Sequence, residues 1–163
     1  MKVFLDTNVL IYALASDDTT RQGIAQRLFA QHGADHGVVL STQVLLETYN
    51  VLTRKKGVKA LRALAAVRML AQQPVVAPTT QTALQAMALS AQHSLSIWDA
   101  LVVQAALEAG CDTLYSEDLQ AGRRFGPLEV VNPFDVAAHE VVPAAQPLKS
   151  AKARRPRTPP RRS

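Results

Sequence analysis

Along the chain, short unbroken apolar runs alternate with longer stretches whose apolar positions recur every three or four residues. The runs predict strands at 2–6, 37–41, 74–77, 112–116 and 128–131. The longer period predicts helices over 7–15, about 19–32, 42–55, 58–72, 80–93 and 96–109. Asp17-Asp18-Thr19, Arg54-Lys55-Lys56-Gly57 and Gln72-Gln73-Pro74 separate these elements, and the periodicity fades after Asn132-Pro133-Phe134. Strands alternating with helices imply an α/β fold with a parallel sheet covered on both faces. In such a sheet ligands gather beyond the carboxyl ends of the strands, where loops turn into helix N-termini.

Four acids break the apolar pattern. In VFLDTNVLIYAL, Asp6 stands between a strand-like run and an apolar helix face, at the strand's carboxyl end. TLYSED repeats the arrangement, with Ser116, Glu117 and Asp118 emerging where the strand closes. Glu47 interrupts STQVLLETYNVL, and Asp99 lies in the first turn of the helix opened by SIWDALVVQAAL. Each would be costly to bury unpaired.

Taken singly, each acid has a local explanation. Asp6 fits the N-cap of the helix beginning at Thr7, a duty worth about 1 kcal/mol. Ser96 and Asp99 have capping-box spacing, Asp118 suits a turn, and Glu47 suits the solvent face of an amphipathic helix. Four such coincidences at strand ends and in apolar helix segments are a different matter in a chain with few other charges. Converging carboxylates repel one another and take up protons unless a cation neutralises them. Oxygen-only ligands select Mg2+ or Mn2+ over zinc, and Mg2+ completes its shell with waters and phosphate oxygens. The pattern therefore points to phosphate chemistry.

Composition narrows the class further. The 163 residues are 48% apolar and 19% charged, a globular composition that most simply makes one domain. No apolar run is long enough to span a membrane, and Met1-Lys2 leads into the first strand without signal-peptide features, so the cytoplasm is the expected compartment. The single cysteine, Cys111, excludes an intramolecular disulfide and a cysteine-based zinc cage, and is read as a packing residue. The four histidines have no metal-binding spacing. Neither a Gly-rich dinucleotide fingerprint nor a phosphate-binding loop occurs.

The net charge of +5 is unevenly spread. Residues 149–163 carry seven of the 18 basic residues and no acid, which leaves eleven basic against thirteen acidic residues before them. The expected organisation is a nearly neutral domain over 1–134 and a flexible Pro/Arg-rich tail over 135–163, too poor in apolar residues to order itself. Such a tail either aids solubility or contacts phosphates without sequence preference.

The acid-bearing motifs resemble those of PIN-domain ribonucleases, specifically the VapC-like toxins of bacterial type II toxin–antitoxin modules. The matching segments are Asp6-Thr7-Asn8-Val9-Leu10-Ile11-Tyr12, Glu47 in its helix, Trp98-Asp99-Ala100, and Ser116-Glu117-Asp118-Leu119 through Gly122 to Val131-Asn132-Pro133-Phe134. Order and spacing agree over about residues 1–134, and residues 135–163 lie outside the likeness. The resemblance implies a three-layer α/β/α sandwich with a central parallel sheet. It makes Asp6, Glu47, Asp99 and Asp118 the acidic quartet, with Asn8 and Ser116 as polar supports. By the same analogy Asp6 and Asp99 are the principal Mg2+ ligands, and Asp118 and Glu47 bind a second ion directly or through water. It also implies a cognate antitoxin that occupies the cleft, and a homodimer.

For such a site the chemistry is hydrolysis of an RNA phosphodiester by a metal-activated water, with Mn2+ able to replace Mg2+. Attack by water leaves 5′-phosphate and 3′-hydroxyl ends. Basic residues near the cleft must grip the substrate, and Arg54, Lys55, Lys56, Arg123 and Arg124 are the candidates. Two other classes compete. A non-catalytic RNA-binding protein of the same fold would be favoured by loss of one of the four acids, and all four are present. A phosphatase of the haloacid-dehalogenase type also places an Asp at the end of the first strand. It wants a second acid two residues on, where this chain has Asn8.

Overall fold

The computed structural model describes residues 1–135, so most of the tail assigned above, residues 136–163, lies outside the described residues. In chain order the elements are β1 (Val3–Leu5), α1 (Thr7–Ala15), α2 (Thr19–Gly33), β2 (Val38–Ser41), α3 (Thr42–Arg54) and α4 (Ala60–Leu70). There follow β3 (Val75–Val76), α5 (Thr80–His93), α6 (Ile97–Glu108), β4 (Thr113–Tyr115), β5 (Arg124–Phe125) and β6 (Leu128–Val131). Every predicted element is present, with ends trimmed by a residue or two. The trimming is largest at α4, where Lys59 is still extended and provides no side-chain cap.

The strands form one six-stranded sheet in the order β3-β2-β1-β4-β6-β5. All neighbours pair in parallel except β5, which runs antiparallel to β6 through Arg124↔Glu129 and Phe125↔Leu128. The expected central parallel sheet is therefore present, with one antiparallel edge strand, β5, that was not foreseen. The missed strand has two residues, too short to show a period. It returns through Gly126-Pro127, where Gly126 takes φ +58°, a value that suits a tight hairpin loop.

All seven side chains of β1 and β2 are buried, so helices cover both faces of the sheet at its centre. Phe4, Leu5, Leu10, Leu40, Leu114 and Leu128 form the bulk of the core. Cys111 is buried within it and its thiol is pushed up to about 11, chiefly by burial, as befits a packing residue. Among the described residues no helix is long and apolar enough to cross a membrane.

The sheet order determines where a site can form. From β1 the chain runs outward on one side through β2 and β3, then returns to place β4 on the other side of β1. That reversal opens a crevice between the carboxyl ends of β1 and β4. Leu5 lies opposite Tyr115, and the Asp6 amide donates to the Tyr115 carbonyl at 3.0 Å, so Asp6 and Ser116 leave the sheet side by side.

Candidate active site

Asp6, Glu47, Asp99 and Asp118, from four separate segments of the chain, line one cleft of about 490 Å3 at this crevice. Asn8, Thr7, Gln43, Tyr12, Glu117 and the two lysines Lys55 and Lys56 share its walls.

Asp6 lies deepest. It does cap α1, accepting the Thr7 amide at 2.7 Å through Oδ1, while Oδ2 accepts the Ser116 hydroxyl at 2.7 Å. Capping and membership of the cleft thus coincide in one side chain. Burial raises the Asp6 carboxyl from 3.8 to about 6, the neighbouring charges of Asp118 and Glu47 push it the same way, and the Ser116 and Thr7 hydrogen bonds pull against them.

Ser116 is fully buried and joins the strand ends. Besides donating to Asp6, its hydroxyl accepts the Asp118 amide at 3.2 Å and the Leu119 amide at 3.4 Å. Asn8 Nδ2 spans the same group, donating to Asp118 Oδ2 at 2.9 Å and to Asp6 Oδ2 at 3.4 Å. Ser116→Ala orphans two backbone amides and removes the strongest hydrogen bond holding the Asp6 charge. Supporting groups of this kind are worth about ten- to a hundredfold in activity, so for the RNA cleavage expected from the sequence, kcat/KM of Ser116→Ala should fall by that factor.

The two helical acids approach from the other side. Glu47, half-buried on α3, accepts the Thr7 hydroxyl at 2.9 Å and Gln43 Nε2 at 2.8 Å, so it is tied into the cleft and does not simply face solvent. Gln43 also donates to the Trp98 carbonyl at 3.4 Å, which links α3 to the start of α6. At that start Ser96 caps α6, accepting the Asp99 amide at 3.1 Å and donating to Asp99 Oδ2 at 2.8 Å. Half of the expected capping box is present. The Asp99 carboxylate returns to the Ser96 hydroxyl in place of its backbone amide.

Three features of the donor set fit a hydrated hard cation. All four acids offer oxygen only, and among the described residues none of them is ion-paired. Asp6 is buried beside the negative charges of Asp118 and Glu47, which push its carboxyl up. Asn8 Oδ1 and Gln43 Oε1, on residues lining the cleft, are buried acceptors without a partner, and waters carried by a cation are donors. As they stand, the side chains are held apart by hydrogen bonds. Among the described residues no three acid, imidazole or thiol groups close on one point as a cage would.

The basic residues divide. Lys55 and Lys56, at the end of α3, line the cleft, whereas Arg54 does not. Arg123 donates to the His93 carbonyl at 2.7 Å and covers the Phe125 ring, and Arg124 pairs with Glu129 across the β5–β6 hairpin. Neither Arg123 nor Arg124 is among the residues that line the cleft, and both have partners on or beside the β5–β6 hairpin, the one strand pairing not foreseen. Thr7 and Gln43 were not singled out either. Gln43 precedes Glu47 by one helical turn, a spacing that signals contact only once Glu47 is known to point inward.

A sequence model of the PIN domain matches residues 3–124. The chain belongs to the PIN-domain family. Among solved structures it is similar to the VapC20 toxin of Mycobacterium tuberculosis, described as cleaving the sarcin–ricin loop. The two share 30% identity at a TM-score of 0.58, over 71% of this chain and 88% of that one. Two more distant structures share the fold. One is a toxin–antitoxin complex from Klebsiella pneumoniae, at 15% identity and a TM-score of 0.61 over 83% of this chain and 100% of that one. The other is VapBC2 of Rickettsia felis bound to a fragment of its promoter DNA, at 17% and 0.57 over 80% and 97%. No protein of curated function matches the chain in sequence. The expected PIN-like, VapC-like architecture therefore holds, and in this PIN domain the crevice between β1 and β4 carries the acids.

Proposed function

We propose that this PIN domain is a metal-dependent endoribonuclease, the toxin of a VapBC-like pair. One observation carries the reading: four acids from four separate segments line a single cleft, and none of them is ion-paired among the described residues. The likeness to a VapC toxin at 30% identity supports RNA as the substrate, and the toxin–antitoxin complexes of the same fold support a protein antitoxin as partner. A homodimer accords with the family resemblance.

Asp6, Asp99, Asp118 and Glu47 would hold Mg2+ or Mn2+. When bound, such an ion activates water for attack on phosphorus and offsets the charge of the leaving oxygen. The chain's own contribution is placement. Ser116 and Asn8 orient Asp6 and Asp118, Thr7 and Gln43 hold Glu47 against the same space, and Ser96 directs Asp99. Lys55 and Lys56 supply positive charge at the wall for phosphates flanking the one to be cut.

The test is cleavage of total and structured RNA by wild-type and Asp99→Asn protein, each with Mg2+, Mn2+ or chelator. Metal-dependent cleavage to 5′-phosphate products by the wild type, lost in the variant, is the expected result. If both proteins are inert with no antitoxin carried through purification, and calorimetry detects no metal binding, the chain is a non-catalytic binding protein.

A further inference from the structure

The cleft has a fifth carboxylate. Glu117 lines it beside Asp118, and it is the one cleft acid that is ion-paired among the described residues. Its partner is Arg21 of α2, which is not among the lining residues and donates through Nη1 to Glu117 Oε2 at 2.7 Å. The same guanidinium bonds the Tyr12 hydroxyl and lies over two rings, 5.1 Å from the centre of Tyr12 and 5.4 Å from that of Phe134. Those rings pack at 4.7 Å, and Phe134 is set by an Asn-led turn in which Asn132 Oδ1 accepts the Phe134 amide at 3.0 Å. The Asn132-Pro133-Phe134 motif thus acquires a purpose: it builds the aromatic seat on which Arg21 rests.

We propose that Arg21 is a positioning residue that removes Glu117 from the ligand set. Held against Arg21, which also pairs with Asp18 at 3.6 Å, the Glu117 charge is offset and its Oε2 is engaged outside the four acids. Without Arg21 the cleft gains a net negative charge next to Asp118, which opposes the phosphates of RNA and attracts divalent cations. The inference rests on the nuclease reading above.

Full-length wild type, Arg21→Gln, Glu117→Gln and the double variant are to be compared in two assays. These are RNA binding in chelator by fluorescence anisotropy, at low and high salt, and Mn2+ binding by calorimetry. Arg21→Gln is expected to weaken RNA binding and tighten Mn2+ binding by about two- to fivefold, the range of a partly exposed ion pair, with the RNA effect shrinking at high salt. The double variant should return both to within about twofold of wild type, a rescue that a merely structural role for Arg21 would not produce. Should Arg21→Gln fail to fold, Glu117→Gln alone decides. Unchanged Mn2+ affinity supports exclusion of Glu117 from the set, and a loss of about tenfold or more, as expected for a lost ligand, overturns it. If wild type binds Mn2+ and cleaves RNA but the double variant is as impaired as Arg21→Gln, the inference fails while the nuclease reading stands. A wild type that neither binds nor cleaves overturns both.

Discussion

Asp6→Asn should abolish RNA cleavage and at the same time stabilise the metal-free protein at neutral pH. The loss is expected at about a thousandfold or more in kcat, because the substitution takes one carboxylate charge from the deepest point of the cleft, where charge stabilisation is worth several kcal/mol. The gain arises from the same burial. Asp6 holds its proton more tightly when folded, at about 6, than at its ordinary value of 3.8. The stability it contributes is therefore fully present below pH 3.8 and is lost as pH rises through about 6. Over that window the metal-free wild type should lose about 3 kcal/mol, and Asp6→Asn, which is neutral throughout and keeps an oxygen for the Thr7 amide, should not. Urea unfolding in chelator at pH 4, 5, 6 and 7 measures the difference, and saturating Mg2+ should restore stability to the wild type alone. Parallel pH profiles for the two proteins, or wild-type turnover by the variant, would remove Asp6 from the site.

On the proposed toxin reading, separation from a cognate antitoxin should produce the second large effect. Among the described residues the cleft carries four acids without an ion-pair partner against Lys55 and Lys56, so a basic side chain from a partner entering it would find charge complementarity and would occupy the space of the proposed cation. At micromolar protein, a nanomolar affinity for such a partner would leave only a few per cent of the nuclease chain free, which corresponds to a rise in cleavage on separation of about thirtyfold. The check is activity of the co-expressed complex before and after denaturing separation and refolding of the nuclease chain. Equal activity in both would mean that the partner does not cover the cleft.

Much of this was legible in the chain itself. Val3-Phe4-Leu5 read as a buried strand and Thr113-Leu114-Tyr115 as strand-like, and Asp6 and Asp118 stood out because both fall at a strand's carboxyl end, where each single local explanation left their coincidence unexplained. Asn8 and Ser116 came from the resemblance of the motifs that contain those acids to PIN-domain ribonucleases. Glu47 and Asp99 were visible as charges in apolar helix segments. The two-residue β5 was not visible, since a period cannot be read from Arg124 and Phe125.

Sequence alone thus determined the layered α/β class, the strand ends that carry acids and the identity of the four carboxylates, because hydrophobic period and turn chemistry are local properties. Tertiary structure decided which charges meet. Sheet order brings Ser116 against Asp6 across 110 positions. Lys55 and Lys56 come to line the cleft at the end of α3, whereas Arg123 and Arg124 meet His93 and Glu129 and do not line it. The ion pair of Arg21 with Glu117 spans 96 positions. Coulomb energy depends on distance in space and on burial, and a one-dimensional pattern records neither.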